Sequence, residues 1–225
     1  MKNKYLKGAH LSERKFKEIL RLFAEDLTAT QIANISGVSR VTVNSYLKKI
    51  RQQIARHCEA LQPLESGHRS QAVRNVHHST EETAVKTDAG RNIRPVVFGI
   101  YRSFDRLHTE ILPDVSRSMI HSVIRSNRSV LETQNVAERI RRFSNVADLG
   151  QYRLYNLEND GAIAVADDVD AFWGLTKHRL AKFKGLNRST VYLHLKECEF
   201  RYNNRNEDIY ETLLELLKEQ PLSLS

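Results

Sequence analysis

The sequence predicts a mixed α+β or α/β protein: an all-α N-terminal domain holding a helix-turn-helix, then a mixed α/β domain that ends in helices. Three observations carry this. Apolar residues recur at helical spacing up to Leu61, a β-branched and aromatic run stands at Pro95–Tyr101, and helical periodicity returns only after the strand-like segments. The expected limits are a helix-turn-helix domain at 1–62, a linker at 63–94, a mixed domain at 95–205 and an amphipathic helix and tail at 206–225.

The first helix opens at Ser12, an N-cap candidate with Glu13 in its first turn, and turns Phe16, Ile19, Leu20 and Phe23 inward. Thr28 or Thr30 opens the second, with Ile32, Ala33 and Ile35 facing the core. Ser39 caps the third, which presents Val43, Tyr46, Leu47 and Ile50 inward and runs on to about Leu61. Between the last two lies Ser36-Gly37-Val38-Ser39, a tight turn with glycine where a positive φ is wanted. Ala33 is small where the helices cross, Gly37 turns the chain four residues later, and Val38 and Val43 fill the gap. A DNA-reading helix-turn-helix requires this spacing, although a helical hairpin in a protein–protein module shares the outline.

The outward side of the third helix carries Arg40, Thr42, Asn44, Ser45, Lys48 and Lys49. Arginine bonds guanine bidentately, asparagine bonds adenine, and lysines meet phosphates, so the expected partner is double-stranded DNA. Charge points the same way. The chain of 225 residues has 35 Lys+Arg against 27 Asp+Glu, a net +8, and residues 1–62 alone hold 12 against 5. A surplus gathered in one segment is the footprint of an acidic partner. A second basic stretch, residues 174–205, carries 8 basic and 2 acidic groups, while 206–225 carries 1 and 5.

From Pro63 to Arg94 the periodicity fades, and this segment, with His68, His77 and His78, reads as an exposed linker rather than a metal site. Pro95–Tyr101 reads as a buried strand, and Leu107–Ile111 follows closely enough for a hairpin, ending before Pro113. Residues 116–126 read as a helix, and Ser129-Val130-Leu131 as a short parallel strand that returns to the sheet through one βα crossover. Helices follow at Val169–Leu180, Thr190–Tyr202 and Asp208–Lys218, the last amphipathic through Ile209, Leu213, Leu214, Leu216 and Leu217. Two cysteines, Cys58 and Cys198, make no disulfide framework, and no apolar run approaches the roughly 18 residues of a membrane span. The expectation is a soluble cytoplasmic protein, associated with the nucleoid and making no membrane contact.

The stretch Phe172-Trp173-Gly174, Lys177, Arg179–Gly185 and Tyr192-Leu193-His194-Leu195-Lys196-Glu197-Cys198-Glu199-Phe200-Arg201-Tyr202-Asn203 resembles the C-terminal signature of small bacterial insertion-sequence transposases. Leu11–Phe16 with the helix-turn-helix, Pro95–Ile100 and His108–Asp114 resemble the same family, and the likeness covers roughly two-thirds of the chain. The family consists of DDE-type enzymes, so the resemblance implies a ribonuclease H-like domain at 95–205. It also implies two divalent metal ions held by three or four acidic or amide side chains.

Carried over residue by residue, those ligands are incomplete. The first position falls within Gln71–Val76, which has no carboxylate and contains Arg74. Ser129-Val130-Leu131-Glu132 aligns with the second strand, and Gln134 stands where the aspartate belongs. Before Phe172-Trp173-Gly174, Asp167 and Asp170 remain, although Asp167, Asp168 and Asp170 also suit a solvated helix N-terminus. The expectation is a domesticated, catalytically degenerate member with no cofactor: a site-specific DNA-binding protein acting in transcription regulation. It would bind as a homodimer or higher oligomer on spaced half-sites, with Lys177, Arg179, Lys182 and Lys184 as additional DNA contacts. The competing reading is an active transposase that uses Mg²⁺ to cut and join insertion-sequence ends.

Overall fold

The computed structural model describes residues 4–7, 11–62, 96–112, 115–125, 138, 140–157, 163–182 and 188–223. The strand expected at Ser129–Leu131, the three linker histidines, Gln134 and Lys184 lie outside the described residues. In chain order the first elements are β1 (Leu6–Lys7), α1 (Glu13–Ala24), α2 (Ala29–Ser36) and α3 (Arg40–Ala60). There follow β2 (Val97–Ser103), β3 (Arg106–Ile111), α4 (Arg117–Arg125), β4 (Asn145–Asp148) and β5 (Arg153–Asn156). The chain closes with α5 (Ile163–Ala181), α6 (Arg188–Asn203), α7 (Ile209–Glu219) and β6 (Leu222–Ser223). Among the described residues no helix is long and apolar enough to cross a membrane.

The chain divides into two compact units, residues 1–60 together with 193–225, and residues 61–192. The first unit is helical. Phe16, Ile19, Leu20 and Phe23 of α1 bury against Ile32 of α2 and Val43, Leu47, Ile50 and Ile54 of α3. Phe200, expected in the domain at 95–205, and Leu213, Leu214, Leu216, Leu217 and Leu222, expected as a separate helix and tail at 206–225, all close this same core. The reason is the leucine face of α7, which needs an apolar partner and packs on α1. Asp208 starts that helix by accepting the Tyr210 amide at 2.8 Å. The two-residue strands β1 and β6 pair in parallel, Leu6 opposite Leu222.

Helix α6 is buried on every side from His194 to Phe200, including Lys196, Glu197 and Glu199. Its charges are matched within the unit. Arg51 Nε lies 2.7 Å and Arg201 Nε 3.0 Å from the Glu197 carboxylate, and Lys196 Nζ lies 2.8 Å from Glu199. Arg201 also donates to the carbonyls of Ala24 and Phe23 at the end of α1, the second of which also accepts the Asp26 amide at 3.0 Å. Both cysteines are buried free thiols, and burial pushes the Cys58 thiol well above its ordinary pKa.

The second unit holds a four-stranded sheet in the order β3-β2-β4-β5, with every described pairing antiparallel. Alternate β2 residues face opposite ways: Val97 joins Ile120 and Val123 of α4 in one cluster, whereas Phe98 meets Trp173 of α5, ring centroids 6.0 Å apart. Phe104 and Asp105 turn β2 into β3 with φ of 49° and 60°, the left-handed pair that a two-residue hairpin loop uses. The fold is therefore a helical N-terminal domain, a small antiparallel sheet and C-terminal helices, a mixed α+β protein.

Gly99 in β2 is needed for a packing reason, since a Cβ there would enter the ring of Phe143. Gly99→Ala is expected to cost about 1–3 kcal/mol in a urea titration, as overpacking does. The penalty should shrink in a Phe143→Ala background, which removes the atoms the new Cβ would meet, because the two sites share one space.

Candidate nucleic-acid interface

The reading unit is built by local capping. Thr28, not Thr30, starts α2: its hydroxyl receives the Gln31 amide at 3.4 Å while the Gln31 side chain receives the Thr28 amide at 2.9 Å, a reciprocal capping box. Gly37 ends the helix at φ 68°, ψ 13°, its amide donating to Ala33 O at 3.0 Å. Lys15 of α1 reaches the Ser36 carbonyl at 2.7 Å and pairs with Glu18, so this basic residue ties α1 to the end of α2. Ser39 then caps α3, accepting the Thr42 amide at 3.1 Å.

Because the space around the missing Gly37 Cβ is open, Gly37→Ala meets backbone strain alone. The expected loss is about 1–2 kcal/mol of stability, read by chemical denaturation, with Gly37→Asn milder because asparagine tolerates the left-handed region.

At 3.6 residues per turn, Val43, Leu47, Ile50 and Ile54 form the buried side of α3. Opposite or beside them Asn44, Ser45 and Lys48 are exposed, Arg40 is exposed as the first residue of the helix, one turn before Val43 and Leu47 begin the buried side, and Thr42 and Lys49 are half-buried on the flanks. The Thr42 hydroxyl lies 2.8 Å from Ser39 Oγ, so it already serves the cap. From Arg40 to Lys48 the helix rises about 12 Å, comparable with the width of a major groove. Two aliphatic residues break the expected pattern. Ile35, expected inside, is 57% exposed, and Val41, which the composition of the polar face did not flag, is 81% exposed. Ile35 follows Ile32 by three positions, but α2 ends at once in Gly37, and the core is filled by Ile32 with Ala33 and Val38 beside it.

Among the described residues, part of the second basic stretch is spent inside the protein. Arg179 is 4% exposed, which removes it from any surface. Lys177 is half-buried with its ammonium 5.5 Å from the Trp173 ring, and Lys182 is exposed. Lys196 and Arg201 belong to the ion pairs of α6, and Arg205 stacks on Tyr202 at 4.3 Å. Charge counted along a sequence does not separate paired interior cations from exposed ones, and here that distinction decides.

The acidic cluster is also differently placed. Helix α5 begins at Ile163, so Asp167, Asp168 and Asp170 follow the first turn rather than occupy it. Asp168 is bound by Arg102 at 2.7 Å, and Asp170 is exposed. The carboxylate that sequence reading passed over is Asp148, fully buried at the end of β4, paired with Arg117 at 2.6 Å and accepting the Gly150 amide at 2.7 Å. It lies in a four-residue strand with no alternating pattern to announce it. Among the described residues no group of three or more His, Cys, Asp or Glu is placed to hold a metal ion.

Residues 9–61 match the family of bacterial regulatory proteins of the luxR type, GerE. The chain is also 26% identical over 106 residues, 44% of its length, to an uncharacterized transposase-like protein of Haemophilus influenzae, of which the match spans 82%. No solved structure matches it significantly. With the capped turn and the exposed stripe of α3, the first match makes the N-terminal helices a DNA-binding helix-turn-helix domain.

Proposed function

We propose that the protein is a transposase-derived, sequence-specific binder of double-stranded DNA that has lost nuclease chemistry and serves as a transcriptional regulator. The observation that carries this reading is the stripe Asn44–Ser45–Lys48, exposed on α3 away from its buried face, with Arg40 exposed at the start of the helix, all within the segment matched by the regulatory family. Helix-turn-helix proteins bind two half-sites as dimers, so a homodimer on a two-part site belongs to the proposal. The name of the Haemophilus relative supports descent from a transposase, and the ribonuclease H-like origin of the second unit is proposed on the same ground.

The residues do not fit the pair of divalent cations that such descent implies. Gln134 offers an amide without charge, Arg74 stands in the segment where the first carboxylate is due, and the Arg102 guanidinium occupies Asp168. A cation pair needs anionic oxygens from several positions, and here the first two positions offer none, which leaves Asp167 and Asp170 at the third alone.

The test has two arms. Selection from a pool of random duplexes should yield one enriched, two-part sequence bound by the full chain. Incubating that duplex, or the flanks of the gene, with Mg²⁺ or Mn²⁺ should leave both strands whole. Nicking that disappears in Asp170→Ala would establish the active transposase instead.

A further inference from the structure

We propose that Val41 reads the C5-methyl group of a thymine in the major groove and so sets part of the sequence preference; the inference rests on the DNA-binding reading above. Val41 is the second residue of α3 and, at 81%, the most exposed aliphatic side chain among the described residues. Its position on the helix is the stronger observation. Asn44, Ser45 and Lys48 lie three, four and seven residues further on, so Val41 shares their face and stands opposite Ile50, which is wholly buried.

An exposed valine has no energetic reason to sit there in the free protein. Isolated surface apolar residues are common, but this one shares a helix face with Asn44 and Ser45, polar groups suited to base edges. The N-terminal residues of a recognition helix are the ones that approach base edges, and the thymine methyl is the one apolar group that the major groove displays. Arginine and asparagine select guanine and adenine by hydrogen bonds, and a branched aliphatic beside them adds selection for thymine without needing a donor or acceptor.

The test uses the full chain and the duplex it selects. Each thymine is replaced in turn by uracil, which removes the methyl group alone, and dissociation constants are measured by fluorescence anisotropy. At one thymine per half-site, uracil should weaken the wild-type protein about fourfold, the worth of one buried methyl. Val41→Ser should bind the thymine and uracil duplexes within twofold of each other while keeping the wild-type unfolding midpoint, because the side chain it replaces is exposed. Specific binding with no uracil-sensitive position, or sensitivity that Val41→Ser retains, would overturn the assignment while leaving the DNA-binding reading intact. Failure of the wild-type chain to select any sequence would remove that reading, and this inference with it.

Discussion

Glu197→Ala is expected to destabilise the first unit by about 3–5 kcal/mol, enough to threaten the whole of a marginal domain. Glu197 is 1% exposed and receives Arg51 Nε at 2.7 Å and Arg201 Nε at 3.0 Å. Removing the carboxylate leaves two guanidinium groups facing each other with little water to solvate them. One of them, Arg201, also holds the last carbonyls of α1, so the loss reaches the helix that supports the reading unit. A pair at the surface offers the contrast. Lys17 and Glu13, each about one-third exposed, meet at 3.0 Å on α1, and Glu13→Ala should move the urea midpoint far less than Glu197→Ala does. Replacing Arg51 and Glu197 together by apolar residues of similar volume should cost less than Glu197→Ala alone, since Arg201 keeps the carbonyls of Ala24 and Phe23 and one fewer charge is stranded. A single Glu197→Ala variant as stable as wild type would show that water reaches the pair.

How far the sequence disclosed this arrangement depends on the kind of signal each element leaves. Helices α1 to α3 were legible because capping residues and apolar spacing agree: Ser12, Thr28, Gly37 and Ser39 act where the pattern begins and stops. Strands β2 and β3 were legible from their β-branched and aromatic run. Strands β4 and β5 were not, because four residues give too short a window for alternation to register. Helix α6 was legible as a helix but misread in role. A segment containing Lys196, Glu197, Glu199 and Arg201 looks like a solvated face, yet it is buried: Lys196 pairs with Glu199 and Arg201 with Glu197 along the helix, and packing adds Arg51 of α3 to Glu197.

The same limit shaped the candidate site. The polar readers on α3 could be named because the residues that must be buried, Val43, Leu47 and Ile50, fix which residues cannot be. Val41 belongs to neither set by residue type, an aliphatic side chain whose phase on the helix is close to that of Ser45. Arg179 was counted as a DNA contact for the converse reason, a charge taken as evidence for the surface.

Arg40→Ala and Asn44→Ala are each expected to weaken the selected duplex roughly tenfold or more while leaving binding to unrelated DNA nearly unchanged. Both side chains are exposed on α3, so neither substitution disturbs the core, and circular dichroism should report an unaltered fold. The separation between the two duplexes matters more than the size of the loss. A residue that bonds a base edge contributes only where that base is present, so its removal lowers the ratio of specific to non-specific affinity and relaxes the preference at one position. Lys48 should behave differently. Its exposed ammonium suits a phosphate, which every sequence offers, so Lys48→Ala should weaken both duplexes alike and reduce the salt dependence of binding by about one counterion. If Arg40→Ala and Asn44→Ala instead lowered both affinities equally, with a matching fall in salt slope, α3 would be holding the backbone and the bases would be read elsewhere.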